Sequence, residues 1–83
     1  MEISRSIKMV KRPDKILLYS SEEGDLFQIN EIGALIIEKI RMGKNEGEIV
    51  LELEKETHEK KDIIREDVEE FLGILKEKGI IND

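Results

Sequence analysis

The ten residues Asp25-Leu26-Phe27-Gln28-Ile29-Asn30-Glu31-Ile32-Gly33-Ala34 constrain this chain more than any other stretch, because a strand pattern runs there into a helix with no loop between them. Leu26 to Ile29 alternate along β-favouring residues, so Phe27 and Ile29 point to one side and Leu26 and Gln28 to the other. Asn30 then offers the side-chain oxygen that the orphan amides of a first helical turn need. Everything before the junction reads as strand and everything after it as helix. Residues 25 to 29 are therefore expected to close a small sheet, and they are the leading candidate for function because a strand so placed can keep one edge unpaired.

The rest of the chain fits around that junction. Met1 to Ser6 carries no pattern and is expected to fray. Ile7 to Lys11 suits a short strand with a polar face, Pro13-Asp14 a turn, and Ile16 to Tyr19 a second strand, apolar on both sides and so placed centrally. Ser20 to Gly24 is the hairpin loop that returns the chain to the junction. Helix one is expected from about Glu31 to Arg41 with Ile32, Leu35, Ile36 and Ile40 on its buried stripe, and Gly43 stands where a left-handed cap would fall. Asn45 and Glu48 have the spacing of a capping box, opening a helix to about Thr57 that turns Ile49, Val50 and Leu53 inward. A third helix, capped by Asp62, should run to about Lys78 with Ile64, Val68, Phe71 and Leu75 on one stripe, widened by Ile63 and Ile74 on one shoulder and Leu72 on the other. Gly79 ends it, and Ile80-Ile81 folds back as an apolar latch. Residues 6 to 81 thus form a single α+β domain, winged helix-turn-helix-like, with a three-stranded antiparallel sheet followed by three helices.

Composition excludes much of chemistry. With no cysteine among 83 residues there is no thiol nucleophile, disulfide or zinc-thiolate site, which fits a cytoplasmic protein. No apolar run approaches the roughly 20 residues of a membrane span. The sole histidine, His58, lies in a charged connector, the few hydroxyl side chains have no histidine base at a suggestive spacing, and no glycine-rich phosphate cradle is present. Adjacent carboxylates such as Glu69 and Glu70 diverge on a helix. Catalysis, a metal and a cofactor are not expected.

Two binding readings remain. A nucleic-acid-binding regulator of the winged helix-turn-helix type would present a basic recognition helix, yet helix three holds Asp62, Glu66, Asp67, Glu69, Glu70 and Glu77 against Arg65, Lys76 and Lys78. An unpaired strand edge beside a helix whose apolar face is too wide instead suits an added peptide strand. The backbone of residues 25 to 29 would set its register and helix three would choose its side chains. The alternative is that Ile80-Ile81 or a dimer partner covers that width, and a monomer or weak dimer is expected.

On these residues the chain resembles the PqqD family, the small peptide-recognition domains also called RiPP recognition elements. The resemblance covers about residues 7 to 81 and is carried by Leu26 to Ala34, by Gly43 with Glu48-Ile49-Val50, and by Asp67 to Ile81. It implies a non-catalytic carrier that binds the leader segment of a ribosomally made precursor peptide and presents it to a modifying enzyme, such as a radical SAM enzyme, a leader peptidase or a cyclase. It further implies that the leader adds as a strand to Asp25, Leu26, Phe27, Gln28 and Ile29 and packs on Ile63, Ile64, Asp67, Val68, Phe71 and Ile74. Two departures stand out. Glu59-Lys60 replaces an apolar residue between the second and third helices, and Ile36 or Ile37 stands where some relatives carry an aromatic.

Overall fold

In the computed structural model, which describes residues 1–22 and 24–82, the elements run β1 (Glu2–Ile3), β2 (Ile7–Lys11), β3 (Ile16–Ser20), β4 (Leu26–Ile29), α1 (Glu31–Arg41), α2 (Glu46–Thr57), α3 (Lys61–Glu77) and β5 (Ile81–Asn82). Strands β2, β3 and β4 form an antiparallel meander with β3 in the centre, as its apolar run requires. The register sets Met9, Leu18 and Phe27 in one row and Lys11, Ile16 and Ile29 in the next. These rows face the helices, and Leu18 is fully enclosed. The opposite rows, Lys8-Tyr19-Leu26 and Val10-Leu17-Gln28, look outward, so β3 is apolar on both sides although only one is covered.

Local signals place the helix ends. The Asn30 side chain accepts the Gly33 amide at 2.8 Å, and Asn45 and Glu48 exchange the two bonds of a capping box at 2.9 and 3.0 Å. Gly43 and Gly79 take the left-handed conformation just past α1 and α3. After α3 the Gly79 amide returns to the Lys76 carbonyl and the Ile80 amide to the Leu75 carbonyl, the paired closure of a Schellman motif. The start of α3 differs from expectation. Lys60 occupies the cap position without a side-chain bond, and Asp62 sits inside the first turn, where its charge still favours the helix dipole.

Helix α1 buries more of its circumference than a single stripe. Ala34, Ile36, Ile37 and Ile40 are enclosed, whereas Ile32 and Leu35 are only half-buried. The cause is position: α1 packs against β4, β1 and α2, so two of its faces lose water. Each enclosed aliphatic contributes roughly 1.5–3 kcal/mol. Lys39 is enclosed with them, and its Nζ reaches Glu52 at 3.0 Å and Glu56 at 2.9 Å. Burial pushes its pKa down, but bonds to Glu56 and Glu52 outweigh this and hold it above the usual lysine value. Glu52, bonded to Lys39 and also paired with Lys44 at 3.3 Å, is held below the usual glutamate range.

The N-terminus is ordered rather than frayed. Glu2 and Ile3 pair antiparallel with Asn82 and Ile81, and the Ser4 amide donates to the Ile80 carbonyl at 2.8 Å. The Ile80-Ile81 latch is therefore real, and its backbone partner is β1. No signal for β1 existed in so short a segment, because its partner lies at the far end of the chain.

Candidate functional site

Backbone parity decides what β4 can offer. The Ser20 amide donates to the Asp25 carbonyl at 2.9 Å, and antiparallel pairs alternate between bonded and non-bonded. Phe27 and Ile29 therefore exchange bonds with Leu18 and Ile16, their register partners. Leu26 and Gln28 turn their amides and carbonyls away from the sheet, and no backbone group among the described residues meets them there. Of the five residues expected to supply register-setting bonds, Asp25 spends its carbonyl, and Phe27 and Ile29 both groups, inside the fold. Only Leu26 and Gln28 hold theirs open, because a pleat gives alternate residues to alternate edges.

Helix α3 runs beside that edge. Lys78, just past its end, sets its Nζ 5.0 Å from the centroid of the half-buried Phe27 ring. One recess opens there, bordered by Asp25, Leu26, Phe27, Glu77 and Lys78. A second lies where β4 becomes α1, bordered by Asn30 and Gly33 on one side and by Asp67, Glu70, Phe71 and Ile74 on the other. Gly33 makes this close approach possible: a Cβ in its place would stand 3.0 Å from the Phe71 ring and 3.3 Å from the Ile29 Cβ. Phe71 is half-buried and Ile74 is 38% exposed. Phe27 borders the first recess and Phe71 and Ile74 the second, all three partly in water.

The residues expected on α3 separate into three groups. Asp67, Phe71 and Ile74 border the recess at the junction. Ile63 is 46% exposed and lies further along the same side of the helix. Ile64 and Val68 are 2% and 0% exposed, so they form the wall behind the groove and present no surface to a ligand. Leu72, on the opposite shoulder, is enclosed in the core, which identifies the Asp67-Ile74 shoulder as the one bordering the groove. Gly33, Glu70 and Lys78 also border it and were not anticipated. Glu70 was legible, being three residues from Asp67 and four from Ile74 on the same helix.

The helix-turn-helix alternative finds no support, since the solvent face of α3 exposes Asp62, Glu66, Asp67, Glu69, Glu70 and Glu77. Among the described residues, no helix is long and apolar enough to cross a membrane. The α2–α3 corner is held by local hydrogen bonds. His58 adopts a left-handed conformation and donates its amide to the Glu54 carbonyl, while the Thr57 hydroxyl bonds the Leu53 carbonyl at 2.7 Å.

Comparison with known proteins agrees with this architecture. Residues 15–81 match the family described as Coenzyme PQQ synthesis protein D (PqqD). No curated protein matches the chain. Among solved structures, TbiB1 in complex with the TbiA(beta) leader peptide superimposes with a TM-score of 0.84 at 24% identity over 100% of both chains. Lasso peptide synthetase B1 complexed with the leader peptide gives 0.85 at 20% identity over 99% of this chain and 96% of that one.

Proposed function

Because the chain belongs to the PqqD family and leaves one strand edge open beside α3, we propose that it binds the leader segment of a ribosomally made precursor peptide by strand addition to β4. The observation that carries this reading is the pair of outward-facing backbone units at Leu26 and Gln28, lying next to the half-exposed Phe27, Phe71 and Ile74. That both similar solved structures hold leader peptides supports it. The bound leader is presented to a modifying enzyme, a radical SAM enzyme, a leader peptidase or a cyclase, and this chain, a cytoplasmic monomer or weak dimer, performs no chemistry itself. The contacts assigned are main-chain bonds at Leu26 and Gln28 and side-chain contacts with Phe27, Ile63, Asp67, Phe71 and Ile74.

Main-chain bonds contribute about 0.5–1.5 kcal/mol each, and two or three buried leader side chains about 1.5–3 kcal/mol each. Ordering a flexible leader costs several kcal/mol. The balance corresponds to micromolar or sub-micromolar binding. The test is a titration of labelled leader against the protein and its Gln28→Pro variant. Proline removes an outward amide that the fold does not use, and an edge strand accommodates it. Binding should weaken at least tenfold with the melting curve preserved, and equal affinities would refute strand addition at β4.

A further inference from the structure

We infer that the peptide accepted by this groove is cationic, with a lysine or arginine seated against Asp67 and Glu70 and its apolar side chains packed on Phe27, Phe71 and Ile74. The inference rests on the strand-addition reading and goes further by fixing the chemistry of the occupant.

The charges along the groove have one dominant sign. At the junction end the charged border consists of Asp67 and Glu70, with no lysine or arginine among the described residues there. At the hairpin end it comprises Glu22, Asp25, Glu77 and the single cation Lys78, and Lys78 already lies over the Phe27 ring. Asp67 and Glu70 are exposed, and neither is ion-paired within the chain among the described residues. Three residues apart on a helix, they stand on one face and repel each other. A cation between them relieves that repulsion, and the apolar side chains that arrive with it exclude water and strengthen the attraction. The far edge of the sheet carries Lys8 on β2 and the Arg41 guanidinium on the Ile7 carbonyl, with Lys11 already paired with Glu38, so a cationic peptide is drawn to β4 rather than to β2.

Direction follows as well. Every pair in this sheet is antiparallel, and a strand added in the same sense brings its N-terminal part to the end of β4, where Asp67 and Glu70 stand. The cation should therefore precede, in the peptide, the residue that packs on Phe27.

A displayed library of short random peptides, selected on the full chain, tests this without knowledge of the natural leader. Enriched peptides should carry Lys or Arg ahead of their apolar residues and should lose binding to Gln28→Pro. Selection on Asp67→Lys/Glu70→Lys should enrich Asp or Glu at the same place, and Asp67→Asn/Glu70→Gln should remove the preference. Both positions are exposed, so folding is preserved, and melting curves check it. In a selected peptide, replacing its lysine by glutamate should weaken binding about tenfold on the wild type and restore it on the charge-reversed variant. Peptides that need the β4 edge but show no charge preference would overturn this inference and leave strand addition standing. If no peptide that depends on the edge is enriched, strand addition falls and the inference with it.

Discussion

Ile7 and Gln28 lie on opposite borders of one three-stranded sheet, and their outward backbone groups are treated differently. The Ile7 amide donates to the Ser4 carbonyl at 3.1 Å, and its carbonyl accepts a bond from the Arg41 guanidinium at 3.0 Å. Further along β2, Lys11 is tied to Glu38 at 2.8 Å. On β4 the amides and carbonyls of Leu26 and Gln28 meet no such partner among the described residues. Unprotected edges invite uncontrolled pairing, and proteins cover them with charge or with their own chain. This molecule does both at the Ile7 end of β2, while the outward backbone groups of Met9 and Lys11 meet no partner among the described residues; what sets β4 apart is the half-exposed Phe27, Phe71 and Ile74 that lie by its edge.

The largest expected effect comes from setting the borders against each other. Met9 is an outward position of β2, and Met9→Pro should leave leader affinity within twofold, whereas Gln28→Pro should weaken it tenfold to a hundredfold, because a buried peptide carbonyl left without its donor costs about 1–3 kcal/mol. Fluorescence anisotropy would read both, and equal losses would erase the distinction. Next, Gly33→Ala should push the Phe71 ring into the groove and reduce leader affinity several-fold. Its effect on stability should be small, since a helical alanine gains up to about 1 kcal/mol over glycine and offsets part of the crowding. Intact affinity would mean that Phe71 is not part of the contact.

Arg41→Ala uncaps the Ile7 end of β2 and should cost about 1 kcal/mol in chemical denaturation, as a charge-assisted bond discounted for the exposure of the arginine. It should also raise self-association in sedimentation, and a change in leader binding would contradict the separation of the borders. Smallest is the pH response of a pair on neither border. Lys39 titrates above its ordinary value near 10.5, so its contribution is complete below that pH and is lost as pH rises through the raised value. Glu52 titrates below its ordinary value near 4.5, so its contribution holds above that pH and is lost as pH falls through the lowered value. Melting temperature should be level between these limits and decline beyond each, and Lys39→Met should flatten both declines.

Much of the fold was readable locally. Asn30, the Asn45-Glu48 box and the glycines at 43 and 79 each act on amides and carbonyls within a few residues, so their meaning survives without tertiary context. The strand-to-helix junction, the central place of β3 and the wide apolar stripe of α3 with Phe71 and Ile74 followed from periodicity, whereas Asp67 entered only through the family resemblance. Other features did not. Lys39 is buried because two glutamates from α2 reach it, and nothing near it in the chain announces them. Periodicity put Ile64 and Val68 on the core stripe; it was the family resemblance that grouped them with the site, because a likeness in residue order does not say where core ends and groove begins.

By itself, the order of residues determined which segments become strands and helices, where they stop, and that the chain holds no thiol or histidine cluster for catalysis. These depend on side-chain size, hydrogen-bonding capacity and charge acting over one or two turns. Tertiary structure alone decided that Leu26 and Gln28, and not Ile29, face outward, since that parity depends on the register of β4 against β3. It also decided that β1 closes against β5, joining the two ends of the chain. Both outcomes are pairings between distant segments, and backbone groups carry no sequence label saying which neighbour they will meet.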